Sequence, residues 1–128
     1  MTKFVVDAYA WIEYLNGSNR GKKVSDILEN NSNEILTSSA TVAEVVSKFL
    51  RSNKDHNIAV NAINSLSKTV DVSQDVSLIA GKIHFEAKKR NKEFGMLDAF
   101  VAATARKAKA RILTGDDDFK NFKESVFI

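Results

Sequence analysis

The side chains with the most chemistry in this chain are carboxylates: Asp7, Glu44, Asp98 and the run Asp116, Asp117, Asp118. Each has a structural and a chemical explanation. Asp7 ends the apolar run Lys3–Val6 and precedes a helical pattern, which suits a helix N-cap and equally suits a site at a strand's carboxyl end. Glu44 closes Thr41-Val42-Ala43-Glu44, a capping-box pattern, and lies roughly opposite the Val42/Val46/Phe49 stripe, facing solvent or a cleft. Asp98 opens an alanine-rich helix on the row of Ala102 and Ala105. There it is either a first-turn acid favoured by the helix dipole or a partly buried carboxylate that needs a partner or an ion. Three adjacent aspartates cannot all cap one helix, and with no base between them they repel. A divalent cation relieves that repulsion, and Thr114 adds a hydroxyl for a carboxylate or a water. Asp116 is the expected core member of the run, Asp118 a supporting one and Asp117 a solvated one.

The remaining donors narrow the metal. Cysteine is absent, so no thiolate zinc site and no disulfide framework exists. His56 and His84 stand alone in polar or helical surroundings and read as surface or packing residues. An oxygen-only set favours Mg2+ or Mn2+ over zinc. No glycine-rich phosphate loop is present, and spacing suggests no Ser/His/Asp set.

These carboxylates need elements that gather them. The β-branched run Lys3–Val6 predicts a strand buried on both faces. Helices are expected over Ala8–Leu15, Arg20–Glu29, a stretch from Thr41 to about Arg51, Asn57–Leu66, Val76–Lys89 (capped by Asp75) and Leu97–Lys109. Further strands are expected at Glu34–Thr37, Thr69–Val72, Arg111–Thr114 and Ser125–Ile128. This order predicts an α/β fold with a mainly parallel sheet, in one domain spanning residues 1–128. Ligands of such sheets bind beyond the carboxyl ends of the strands. Asp7 and Asp116 follow strands and Glu44 and Asp98 lie near helix starts, so all four can share one rim.

The chain has 128 residues, 44% hydrophobic and 27% charged, which excludes a disordered class. A net charge of +3 and a pI near 9.2 are compatible with a polyanionic partner. Rim cations that could meet phosphates are Arg20, Lys22, Lys23, Lys48, Arg51, Lys88, Lys89 and Arg90, each of which also suits a solvated surface. No apolar run has the ~18–20 residues of a membrane span, and the start MTKFVVDAY is no signal peptide. With the lack of cysteine, this fits a cytoplasmic setting.

Several motifs stand in one order: Phe4-Val5-Val6-Asp7 with Trp11, Glu44 within Thr41–Val46, Leu97-Asp98-Ala99 followed by Ala102–Ala105, and Leu113-Thr114-Gly115-Asp116-Asp117-Asp118-Phe119. The last resembles a T-x-D-x-D-F signature. Together they are similar to a PIN domain, and in particular to a VapC-type toxin ribonuclease, across residues 4 to 119. The resemblance implies a three-layer α/β/α sandwich and an acidic pocket that binds Mg2+ or Mn2+ and cleaves RNA endonucleolytically. It implies Asp7, Glu44, Asp98 and Asp116 as the acidic set, with Asp7, Asp98 and Asp116 on the metal and Thr114 and Asp118 in support. It also implies an antitoxin that wraps the toxin and occludes the pocket, and a homodimer. Trp11, Tyr14 and the apolar side of Asn57–Leu66 are candidates for such an interface, or for core. One position departs from the pattern: many members carry Ser or Thr after the first Asp, where this chain has Ala8-Tyr9.

Two other classes compete. A receiver-type signalling domain also sets Asp after parallel strands beside Mg2+, but it calls for an acidic pair after the first strand and a late Lys. Here Asp7 has no acidic neighbour and the late residues are Asp. The other class is a PIN-like fold kept as a non-catalytic binding scaffold.

Overall fold

The computed structural model describes residues 1–128. Its strands are β1 (Thr2–Val6), β2 (Asn33–Ser38), β3 (Lys68–Val70), β4 (Arg111–Thr114) and β5 (Ser125–Phe127). Its helices are α1 (Ala8–Asn16), α2 (Asn19–Leu28), α3 (Ser39–Arg51), α4 (His56–Leu66), α5 (Gln74–Lys88) and α6 (Met96–Ala108), with a 3-10 turn at Asp117–Phe119. The strands form one sheet in the order β3-β2-β1-β4-β5, and every neighbouring pair is parallel. A receiver-type fold has the order 2-1-3-4-5 instead, so this topology excludes that alternative.

The sheet is buried on both faces, which explains its continuous apolar strands. Successive side chains point to opposite sides. Phe4, Val6, Ile35 and Leu113 pack with Trp11, Val24, Val45, Phe49 and Ile63 from α1 to α4. Val5, Leu36 and Ile112 pack with Val76, Ala80 and Ile83 of α5 and the alanines of α6. Ala99, Ala102, Ala103 and Ala105 are fully buried, so α6 lies close against the sheet with little side chain between. The result is an α/β/α sandwich. No helix is long and apolar enough to cross a membrane.

Caps separate the elements where the sequence has no proline. Gly17, at φ 66°, ends α1 in the left-handed conformation that glycine adopts without a Cβ penalty. Ser18 immediately caps α2, its side chain accepting from the Gly21 amide at 3.0 Å. Gly21 is needed for space, since a Cβ there would lie 2.1 Å from the Glu13 carbonyl oxygen. The first turn of α2 thus abuts the last turn of α1, and Arg20 comes beside Tyr9.

Two local expectations are corrected. Ser73, not Asp75, caps α5, and Asp75 in the first turn pairs with Lys107 at 3.3 Å. Thr41 and Glu44 form no capping box, because α3 begins earlier, with Ser38 as its cap, and the buried Thr41 hydroxyl oxygen has no partner. Trp11 is fully buried and donates its indole N–H to the Thr37 hydroxyl at 3.1 Å. It therefore serves the core and offers nothing to an interface. Leu50 near the end of α3 and Ile58 near the start of α4 are 55% and 60% exposed.

Candidate metal centre

The strand order reverses between β1 and β4, the position where open parallel sheets leave a crevice at their carboxyl ends. A cavity of about 220 Å3 lies beside Asp7 and Asp116, which follow those two strands, and its walls also include Tyr9, Glu44, Lys48, Arg51 and Asp98. Four carboxylates that are up to 109 residues apart in the chain (116 − 7) thus face one space.

Asp7 is held hardest. It is the N-cap of α1, with one carboxylate oxygen accepting from the Ala10 amide at 2.8 Å. The other oxygen accepts from the Thr114 hydroxyl, and that hydroxyl oxygen also accepts from the Asp116 amide at 2.9 Å. Asp7 is buried, and desolvation, reinforced by Asp116 and Asp98, raises its pKa from 3.8 to about 7 despite the Thr114 and Ala10 hydrogen bonds. An N-cap and a site carboxylate are here the same residue.

Asp98 has the same double character. From the first turn of α6 it accepts the Gly95 amide at 3.3 Å. Desolvation, then Asp116 and Asp118, raises its pKa to about 7 against the Gly95 hydrogen bond. The pKa of Glu44 is raised by desolvation and by Asp116, with Lys48 and Arg51 pulling the other way.

One oxygen from each of Asp98, Asp116 and Asp118 lies within 4.8 Å of the others. The 3-10 turn produces this grouping: Asp116 caps it by accepting the Asp118 amide at 2.9 Å, while Asp117 points outward and is exposed. Asn91 donates its side-chain amide to Asp118 at 2.9 Å and so orients it. Asp7 stands apart from the trio, with both oxygens already engaged, but each keeps a second lone pair for a ligand. A buried Asp7 and half-buried Glu44, Asp98, Asp116 and Asp118 make an oxygen-only donor set, which fits a hard divalent ion of the Mg2+ or Mn2+ kind. Such an ion stabilises the ionised carboxylates that burial otherwise disfavours.

Among the cations expected at the rim, Lys48 and Arg51 line this cavity. They follow Glu44 by four and seven residues, so α3 shows all three on one side. Arg20 reaches it through the Tyr9 hydroxyl, to which it donates at 2.5 Å. Lys22 and Lys23 are exposed on α2 and do not line it. Lys89 pairs with Glu86 at 3.2 Å, Lys88 donates to the Lys92 carbonyl at 2.5 Å, and Arg90 lines a different cavity with Phe94 and Phe122. Two residues escaped the sequence reading. Asn91 has no local signal, since a loop asparagine is ordinary. Tyr9 marked only a missing hydroxyl at Ala8, yet its own hydroxyl is at the cavity wall.

A family model described as PIN domain matches residues 4–125. No curated protein sequence matches the chain. Among solved structures, the chain resembles VapBC2 from Rickettsia felis, bound to a DNA fragment from its promoter, with TM-score 0.76 and 17% identity over 99% of this chain and 98% of that one. It resembles VapC20 from Mycobacterium tuberculosis, described as a Sarcin-Ricin loop cleaving toxin, with TM-score 0.75 and 19% identity over 98% and 96% of the two chains. It also resembles FitAcB from Neisseria gonorrhoeae, with TM-score 0.68 and 24% identity over 98% and 96%. At these identities the likeness is one of fold.

Proposed function

This chain belongs to the PIN domain family, and from that premise we propose that it is a Mg2+- or Mn2+-dependent endoribonuclease, the toxin of a VapBC-type toxin–antitoxin pair. The observation that carries the proposal is the convergence of Asp7, Glu44, Asp98 and Asp116 on one cavity that also bears Lys48 and Arg51.

Asp98, Asp116 and Asp118 hold the ion, with Asp7 as a further ligand fixed in place by Ala10 and Thr114. When bound, such an ion supplies Lewis-acid charge to a phosphodiester and makes a nearby water a better nucleophile. Glu44 takes the proton of the attacking water, a role for which its pKa, raised by desolvation and by Asp116, is suited. The water oxygen bonds to phosphorus as the P–O bond to the leaving oxygen breaks, and solvent protonates that oxygen. Lys48 and Arg51, otherwise solvated on α3, bind the flanking phosphates and offset the repulsion between carboxylates and RNA.

The toxin reading draws on the fold neighbours, which include a toxin–antitoxin complex from Klebsiella pneumoniae at TM-score 0.74. On that reading the partner is a cognate antitoxin that covers the cavity, and the toxin is a homodimer in the cytoplasm. Incubation of the purified protein with single-stranded RNA tests the activity. Cleavage is expected with Mn2+, and none with EDTA or in a folded Asp98→Asn variant. Intact RNA in the presence of wild-type protein and bound Mn2+ would leave a binding scaffold as the better account.

A further inference from the structure

Tyr9 lines the carboxylate cavity and is built in more firmly than an exposed aromatic needs to be. Its ring lies against Gly115, where a Cβ would come 2.3 Å from Cε1 and 2.5 Å from Cδ1. Only bare backbone between Thr114 and Asp116 leaves room for it. Its hydroxyl accepts from Arg20 at 2.5 Å. The guanidinium carbon is 5.8 Å from the ring centroid, a separation that, with the hydroxyl contact, sets Arg20 off the hydroxyl edge and not flat over the ring. The ring is thus fixed from below and at one edge, and the residue is still 37% exposed.

A rigid, half-exposed π-surface beside a phosphate-binding wall matches one chemical class, the unpaired nucleobase. Every base has a π-face, and aromatic platforms beside a cationic track are how single strands are held without sequence readout. We propose that Tyr9 stacks a base next to the scissile phosphate, with Arg20 positioning the ring, so that the cavity takes single-stranded RNA and disfavours paired bases. This rests on the RNA-cleaving function proposed above. Tyr9 is a substrate-binding residue in this scheme and moves no proton.

The test is fluorescence anisotropy, in Ca2+, with an oligoadenylate dodecamer and with an abasic ribose-phosphate chain of the same length and charge. Wild-type protein is expected to prefer the base-bearing chain by about 5- to 150-fold, the range that stacking one base supplies. Tyr9→Phe keeps the aromatic face but loses the hydroxyl that Arg20 holds, so its preference should fall between those of wild type and Tyr9→Leu. Tyr9→Ala and the bulkier Tyr9→Leu should bind the two chains alike, with Mn2+ affinity by calorimetry unchanged. A Tyr9→Leu protein that retains the wild-type preference overturns the stacking role and leaves the nuclease proposal standing. A wild-type protein that binds neither chain and leaves RNA whole in Mn2+ overturns both proposals.

Discussion

The Thr114 hydroxyl donates to the carboxylate of Asp7 and accepts the Asp116 amide at 2.9 Å. One hydroxyl therefore joins the two strand ends that flank the switch point of the sheet. It lies 107 residues from Asp7 along the chain, so it forms only when β1 and β4 have paired.

Thr114→Val keeps the shape of the side chain and deletes both hydrogen bonds. It leaves a buried carboxylate oxygen and the Asp116 amide without their partner. Unsatisfied groups of this kind cost about 1–3 kcal/mol each, more where one is charged. Urea denaturation should show a loss of about 2–6 kcal/mol for the two groups together, and Thr114→Ser should recover most of it. Equal stability of the Val variant and wild type would mean that the bond contributes nothing.

Asp7 and Asp98 both have folded-state pKa values of about 7, raised from 3.8. Between those values the unfolded chain has released protons that the folded chain keeps. Metal-free stability from these groups is therefore full below about pH 4 and falls as pH rises to about 7. A divalent ion binds the ionised forms and competes with protons. Calorimetry should find Mn2+ raising Tm more at pH 8 than at pH 5.5. A shift independent of pH would rule out these carboxylates as ligands.

The strands were legible because a sheet buried on both faces demands unbroken apolar runs, and Phe4–Val6 and Ile112–Leu113 are such runs. Local chemistry was less decisive. Ser73 and Asp75 are both good capping residues, and only backbone geometry selects between them. Cap and site are not exclusive for Asp7 and Asp98, because each accepts a backbone amide and faces the cavity. Tyr9 and Asn91 gained their roles from neighbours distant in sequence, Gly115 and Asp118, and no spacing rule reaches that far.

Glu44 separates metal binding from proton transfer. It is absent from the close trio of Asp98, Asp116 and Asp118, and its pKa is raised by desolvation and by Asp116. Glu44→Gln preserves shape and removes the base. Removing a general base typically costs about 10²–10⁴-fold in rate. The variant should lose activity on that scale in kcat, with Mn2+ affinity by calorimetry close to wild type. A parallel collapse of Mn2+ affinity would reassign Glu44 as a ligand.

Two glycines should respond oppositely to alanine. At Gly81, in the exposed middle of α5, a Cβ meets nothing within 4 Å. Gly81→Ala restricts the unfolded chain and favours the helix, for a gain of about 0.4–1 kcal/mol. At Gly21 the new Cβ would sit 2.1 Å from the Glu13 carbonyl oxygen and 3.1 Å from the Tyr14 Cα. These are backbone atoms and cannot swing aside, so α1 and α2 must separate. Overpacking of this kind costs about 1–3 kcal/mol. The separation also carries Arg20 away from the Tyr9 hydroxyl. Thermal unfolding of the two variants should bracket wild type, with Gly81→Ala above it and Gly21→Ala below. Under the stacking proposal Gly21→Ala should also weaken the preference for base-bearing RNA. If Gly21→Ala unfolds at the wild-type temperature, the close contact between α1 and α2 is not a constraint on the fold.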